Sequence, residues 1–181
     1  MSSDIEEMER MLNEYLEFAR YQKKEETEII SVDEIVKDVV KKYEKEKINT
    51  SIEKNLHISV RANSIKRCLT NLIDNGLAYG KKVEISAKKI SNYLVIFIDD
   101  DGPGIDEKEY QNVIKPFYRI DKSRSQNKSG VGLGLSITND IIRSHGGSIF
   151  LDKSTLNGLR VKISLPLWFF FFSFEIIQIF S

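Results

Sequence analysis

The chain has 181 residues, with 27 Lys plus Arg against 27 Asp plus Glu, two His, one Cys and three Pro. That length fits one domain and an appendage, and zero net charge argues against nucleic acid held by a general basic field. A single cysteine excludes a disulfide framework or a cysteine zinc site, no secretory signal opens the chain, and 30% charged residues suit a cytoplasmic body.

The first segment, Asp4 to Arg20, reads as a helix. Ile5, Met8, Leu12, Tyr15 and Ala19 follow the three–four spacing of a bundle stripe, with glutamates opposite. A helix on the domain's own surface and one arm of an intermolecular bundle fit this pattern equally well. Tyr21 to Ile30 is charged, lacks apolar periodicity and reads as a linker. Ser31 and Glu34 form a capping box that opens a second helix carrying Val32, Ile35, Val36, Val39 and Tyr43.

Leu56, Ile58 and Val60 alternate with polar residues as a half-buried strand. A third helix runs from about Ser64 to Tyr79, with Ile65, Cys68, Leu69, Leu72 and Ile73 on its apolar face. Two strands follow, around 83–87 and 94–98, the second running into Asp99-Asp100-Asp101. A short helix is expected around 107–114 and a longer one from about Gly132 to Ser144. The strands 148–151 and 159–165 pair around the turn signal Asn157-Gly158. Together these predict an α+β fold, a two-layer α/β sandwich with an N-terminal helix. From Trp168 to Ser181 the composition turns aromatic, holding six of the ten Phe. Its apolar stretch is shorter than the ~20 residues of a membrane span, and it reads as a non-native extension prone to aggregation.

Four clusters carry chemistry. Asn71 and Asn75 are four residues apart, so their carboxamides share one helix face ~5–6 Å apart. A carboxamide oxygen is a ligand that Mg²⁺ accepts beside waters and phosphate oxygens, although two asparagines on a solvated face often do nothing. Asp99 to Ile105, with Gly102, Pro103 and Gly104, ends a buried strand in a sharp turn, where a fixed carboxylate accepts a hydrogen bond from an exocyclic amine. Gly130, Gly132 and Gly134 precede a helix whose N–H groups and dipole favour phosphate. Between the two glycine clusters, Pro116-Phe117-Tyr118-Arg119 with Asp121, Lys122, Ser123 and Arg124 reads as a lid that brings cations to a triphosphate.

In this order the clusters resemble the N, G1, F and G2 boxes of the histidine-kinase catalytic domain. That domain belongs to the GHKL superfamily of gyrase, Hsp90 and MutL, which has the Bergerat ATP-binding fold, and the likeness is strongest to sensor kinases of the EnvZ type. It covers roughly residues 4–166. The resemblance implies a remnant of the dimerisation hairpin over 1–22, a linker over 23–30, the ATP-binding catalytic domain over 31–167 and the aromatic tail over 168–181. It implies ATP and Mg²⁺ as cofactors, with Asn75 as the magnesium ligand and Asn71 on the phosphate side. Tyr79 would pack on adenine and Asp100 would recognise it. Gly102, Gly104 and Ile105 would line the base pocket, while Gly130, Gly132, Gly134 and Leu135 would close over phosphates. Phe117 matches the F-box phenylalanine, and Arg119, Lys122 and Arg124 are candidates for γ-phosphate contact. Gly76 stands where the family usually has alanine, which should cost up to ~1 kcal/mol in the helix.

The family's phosphoacceptor histidine is not matched. His57 lies in a strand pattern and His145 precedes Gly146-Gly147 at a helix end, so both are expected to be structural. The first segment resembles the second hairpin helix, so the chain reads as starting after the acceptor. The expected function is that of a histidine protein kinase of a two-component system, acting on a histidine supplied in trans. Autokinase activity of this chain alone is not expected. The implied partners are a response regulator and a kinase dimerisation hairpin, and a homodimer fits as well. The alternative is an ATP-binding fragment that acts only as an interaction module.

Overall fold

The computed structural model describes residues 25–120 and 132–167. In chain order they form β1 (Glu28–Ser31), α1 (Val32–Val40), β2 (Ile48–Ile52), β3 (His57–Val60), α2 (Ala62–Tyr79), β4 (Val83–Ile90), β5 (Tyr93–Asp100), the single-turn α3 (Tyr110–Val113), α4 (Gly134–Ser144), β6 (Ser148–Lys153) and β7 (Leu159–Pro166). The main sheet has the order β2-β4-β5-β7-β6. Only β2–β4 is parallel; the other three pairs are antiparallel. A separate antiparallel ribbon joins β1 to β3.

Strand alternation divides this sheet into two faces. Val83, Ile85, Leu94, Ile96, Ile98, Val161, Ile163 and Leu165 point inward and meet Ile35 of α1, Ile65, Leu69 and Ile73 of α2, and Ile137, Ile141 and Ile142 of α4 in one core. Each such fully buried aliphatic side chain stabilises the fold by about 1.5–3 kcal/mol. On the other face Phe97 lies under the Arg160 guanidinium, 5.1 Å from its ring centre, and Phe150 carries Lys162 at 5.6 Å. The two-layer α+β architecture expected from the sequence is therefore present. Among the described residues no helix is long and apolar enough to cross a membrane.

Several details depart from the sequence expectations. The first three residues of β1 fall within the segment read as a linker and its last is Ser31, and β2 was not anticipated. Ser31 occupies the N-cap position of α1 with extended φ, but its side chain makes no capping hydrogen bond. α2 begins two residues before Ser64, and its cap comes from elsewhere in the chain. Glu25 accepts hydrogen bonds from the amide of Asn63 (2.5 Å) and from the amide and hydroxyl of Ser64 (3.1 and 2.7 Å). A carboxylate at a helix N-terminus satisfies orphan donors and opposes the dipole. The first helical segment, the aromatic tail and the 121–131 stretch lie outside the described residues.

Candidate nucleotide-binding site

The site assembles around the solvent-facing side of α2. Its apolar face is committed to the core, which leaves Asn71, Asp74 and Asn75 on the other side. The Asn71 Nδ2 group donates to the Gly134 carbonyl at 3.2 Å, tying the middle of α2 to the first turn of α4. Thr138 Oγ1 donates to the same carbonyl at 2.8 Å. The half-buried carboxamide of Asn75 makes no hydrogen bond with any described residue. Asp74, beside it, accepts from the Tyr43 hydroxyl at 2.7 Å. Burial, followed by the Asp74 carboxylate, raises the Tyr43 pKa well above its ordinary value.

Three consecutive aspartates span the end of β5 and the turn after it, and pleat and turn give them three separate tasks. Asp99 points to the outer face and takes a forked ion pair from Arg160, with Nε and Nη2 at 2.9 and 3.0 Å. Asp101 lies past the strand end. Its Oδ1 accepts from the amides of Lys81 and Lys82 at 2.6 and 2.8 Å, closing the turn after α2. The Lys82 amide is the first cause holding its carboxyl below the usual range.

Asp100 points inward, only 9% exposed. Its Oδ1 accepts from the amides of Gly102 (2.8 Å) and Leu159 (3.1 Å). Burial raises its pKa; these two amides work against the shift, and the neighbouring Asp101 and Asp99 charges add to it.

Gly76, next to Asn75 on α2, brings the two ends of the site together. A Cβ there would sit 3.3 Å from Asp100 Cβ, 3.9 Å from Asp100 Oδ2 and 2.7 Å from Val83 Cγ2. The methyl expected to be missing at this position leaves no hole, because Val83 fills the space. Gly102 lies against the Tyr79 carbonyl, where a Cβ would come within 3.3 Å. Tyr79, at the end of α2, is 58% exposed. Gly104 abuts the Gly158 carbonyl, and Ile105 packs partly against the core, as does Leu135.

Phe117 has a φ of 63°, uncommon for an aromatic residue. Its amide donates to the Gly132 carbonyl at 3.1 Å. Gly132 has φ +76°, and a Cβ there would lie 3.0 Å from the Tyr118 carbonyl oxygen and 3.3 Å from Arg119 Cγ. The F-box and second glycine cluster are thus clasped at Phe117 and Gly132. Tyr118 donates to Glu109 at 2.6 Å and pins the clasp to the turn before α3. Lys122, Arg124 and Gly130 fall outside the described residues.

One wall was not singled out by sequence. Asn157-Gly158 reads as a hairpin turn, yet Gly158 packs directly on Asp100 and the next amide bonds it. The turn signal was visible, but its partner on β5 becomes apparent only when β5 and β7 pair.

Chemically the arrangement offers a buried acceptor, a free carboxamide and a helix start. The N-cap of α4, Leu133, supplies no capping side chain, so the first N–H groups of the helix remain available to an anion. Among the described residues no group of three His, Cys, Asp or Glu could cage a metal. The donor set fits Mg²⁺ in its usual mode of few protein ligands plus phosphates and water, with Asn75 Oδ1 the candidate ligand.

Comparison with known proteins gives the same outline. The profile described as "Histidine kinase-, DNA gyrase B-, and HSP90-like ATPase" matches residues 60–168, more than half of the chain. The sensor histidine kinase CpxA of Escherichia coli is 29% identical over 178 residues, covering 93% of this chain and 39% of CpxA. The chain thus spans well under half the length of that relative. The histidine kinase domain of the E. coli osmosensor EnvZ superposes with a TM-score of 0.60 at 27% identity, covering 77% of this chain and 88% of that one. Full-length ShkA in complex with AMPPNP superposes at 0.74 with 18% identity, covering 87% of this chain and 35% of that one, a likeness of fold. With the asparagine pair, the buried aspartate and the uncapped helix start assembled on this scaffold, the chain belongs to the family of histidine kinase-, DNA gyrase B- and HSP90-like ATPases.

Proposed function

We propose that this chain is the catalytic ATP-binding part of a sensor histidine kinase. It binds Mg-ATP and directs the γ-phosphoryl group to a histidine supplied by another segment or another polypeptide. The observation that carries this reading is the Asp100 carboxylate, nearly buried, with one oxygen saturated by backbone amides and the other beside Gly76.

The base would enter between Asp100 and the Gly102–Gly104 turn, with its exocyclic amine donating to the carboxylate. The phosphates would then run along α2 toward the start of α4. There the uncapped N–H groups and Arg119, beside Gly132, offset their charge. When bound, Mg²⁺ would neutralise phosphate oxygens from Asn75. Catalysis in such a site is positioning plus electrostatics. An imidazole nitrogen forms the new P–N bond as the bond from phosphorus to the bridging oxygen breaks, and ADP leaves with that electron pair. Neither of the chain's own histidines suits the acceptor role. His57 sits in β3 with a ring nitrogen 3.3 Å from the Asn55 carbonyl, and His145 is half-buried at the end of α4. The downstream partner of this reading is a response regulator that takes the phosphoryl group from the acceptor histidine.

Incubation with γ-labelled ATP and a separate histidine-bearing hairpin domain tests the reading. Acid-labile, base-stable label on the hairpin is expected. ATP binding with no such label, across hairpins of several sensor kinases, would contradict the kinase assignment and leave a binding module.

A further inference from the structure

The orientation of Asp100 is imposed in part from across the sheet. Oδ1 takes two hydrogen bonds, from Gly102 in its own turn and from Leu159 at the head of β7. Those two donors use the lone-pair directions of that oxygen. Oδ2 takes no hydrogen bond from any described residue, and it is not among the described polar atoms sealed from solvent without a partner. The backbone that delivers the Leu159 amide comes extremely close. A Cβ at Gly158 would overlap Asp100 Oδ1 and the Asp100 carbonyl oxygen, and would lie 2.7 Å from the Gly102 amide. Only glycine allows this approach.

The hairpin is itself braced. Ser154 is 5% exposed; its amide donates to the Gly158 carbonyl at 2.9 Å and its hydroxyl accepts from Leu156 at 3.0 Å. Asn157 donates back to the Ser154 carbonyl at 3.1 Å. Gly104, on the opposite wall, would place a Cβ 3.3 Å from the Gly158 carbonyl oxygen. The β6–β7 hairpin therefore reaches both Asp100 and the turn that follows it.

We infer that Gly158 and the Leu159 amide are positioning elements that lock Asp100 with Oδ2 alone presented to the base, so that the hairpin sets discrimination between 6-amino and 6-oxo purines. The inference rests on the nucleotide-binding reading above and deepens it. A locked acceptor receives a 6-amino group and repels a 6-oxo oxygen. An unlocked carboxylate could rotate, trade partners with its two backbone donors and discriminate less.

The lock has a distinctive consequence for Asp100→Asn. Two N–H groups donate to the Oδ1 position, which only the amide oxygen can occupy as acceptor, so the amide NH₂ must turn toward the base. The variant should then reverse preference, binding inosine triphosphate at least tenfold more tightly than ATP, where wild type prefers ATP. Gly158→Ala should bring the ratio of the two affinities close to one, with the fold checked by far-UV circular dichroism and thermal melting. Calorimetric titration of ATP and inosine triphosphate into the full chain and both variants reads these ratios. An Asp100→Asn protein that binds both nucleotides weakly and equally, or a folded Gly158→Ala protein with the wild-type ratio, would overturn the lock. If Gly158→Ala does not fold, Asp100→Asn decides alone. Wild type that fails to bind ATP at all would instead overturn the nucleotide-binding reading and, with it, this one.

Discussion

Arg160 and Asp99 face each other across β7 and β5 and form a two-bond fork at 2.9 and 3.0 Å, one residue before the carboxylate that faces the site. The fork lies on the outer face of the sheet, where Arg160 also covers the Phe97 ring. The Asp99 side chain is only 6% exposed and that of Arg160 26%. Removing the guanidinium strands a buried charge, which in a fully enclosed pair costs about 3–5 kcal/mol. The partial exposure of Arg160 reduces this. Arg160→Met should destabilise the domain by about 2 kcal/mol in urea unfolding, while the ATP affinity of the folded protein stays within about twofold.

Asp100 behaves oppositely. Burial first, partly offset by the Leu159 and Gly102 amides, raises its pKa above the unfolded value. The native state then holds the proton more tightly than the unfolded chain, so stability falls as pH rises through the carboxylate range. Asp100→Asn should be more stable than wild type at neutral pH, with the advantage fading as pH falls through the raised folded-state pKa and gone by pH ~4, the ordinary aspartate value. Its affinity for ATP should fall by roughly tenfold to a hundredfold, the worth of a hydrogen bond to a charged group at about 1.5–3 kcal/mol. Melting curves across pH and a parallel ATP titration check both halves.

His145 links the end of α4 to the start of α2. Nε2 accepts from the Arg61 amide at 3.1 Å, and Nδ1 faces the Ile141 carbonyl at 2.7 Å. A backbone amide can only donate, so the ring is neutral with its proton on Nδ1. Burial is the first cause lowering its pKa. The Ile141 carbonyl works against the shift, the Arg61 charge adds to it, and Glu25 opposes it. The unfolded chain therefore binds the proton more tightly. Stability should be fully present above pH ~6.5 and decline as pH falls through that unfolded value, levelling off below the folded one. His145→Asn should flatten the slope between pH 7.5 and 5.5 in chemical unfolding.

Glu25 caps α2 through three hydrogen bonds. Glu25→Ala should lower stability by about 1 kcal/mol, the usual worth of an N-cap, and Glu25→Gln should lose less because its amide oxygen still accepts. Hydrogen exchange at Asn63 and Ser64 should rise in the alanine variant, and unchanged protection would contradict the cap.

Much of the fold was legible because its helices and central strands are strongly periodic. The stripe of Ile65, Cys68, Leu69, Leu72 and Ile73 and the inward positions of β4, β5 and β7 needed only period counting. β2 escaped because Ile48–Ile52 is an edge strand with three exposed polar residues between two isoleucines. β1 escaped because its burial is slight and its partner β3 lies well along the chain. The asparagine, aspartate and glycine motifs stood out through their residue types. The division of labour among Asp99, Asp100 and Asp101 did not, since each depends on a partner from another element: Arg160, Leu159 and the Lys81–Lys82 turn. Glu25 was hidden for the same reason, as a charged residue in a stretch without periodicity.

Calorimetric titration with and without magnesium reads whether one nucleotide lies between Asp100 and Asn75. Wild type should bind one ATP per chain, more tightly with Mg²⁺ than without. Asn75→Ala should lose that magnesium-dependent gain while its affinity for adenosine is unchanged. Saturable ATP binding with a magnesium gain that survives Asn75→Ala, or no saturable binding at all, would rule out a nucleotide held between these two residues.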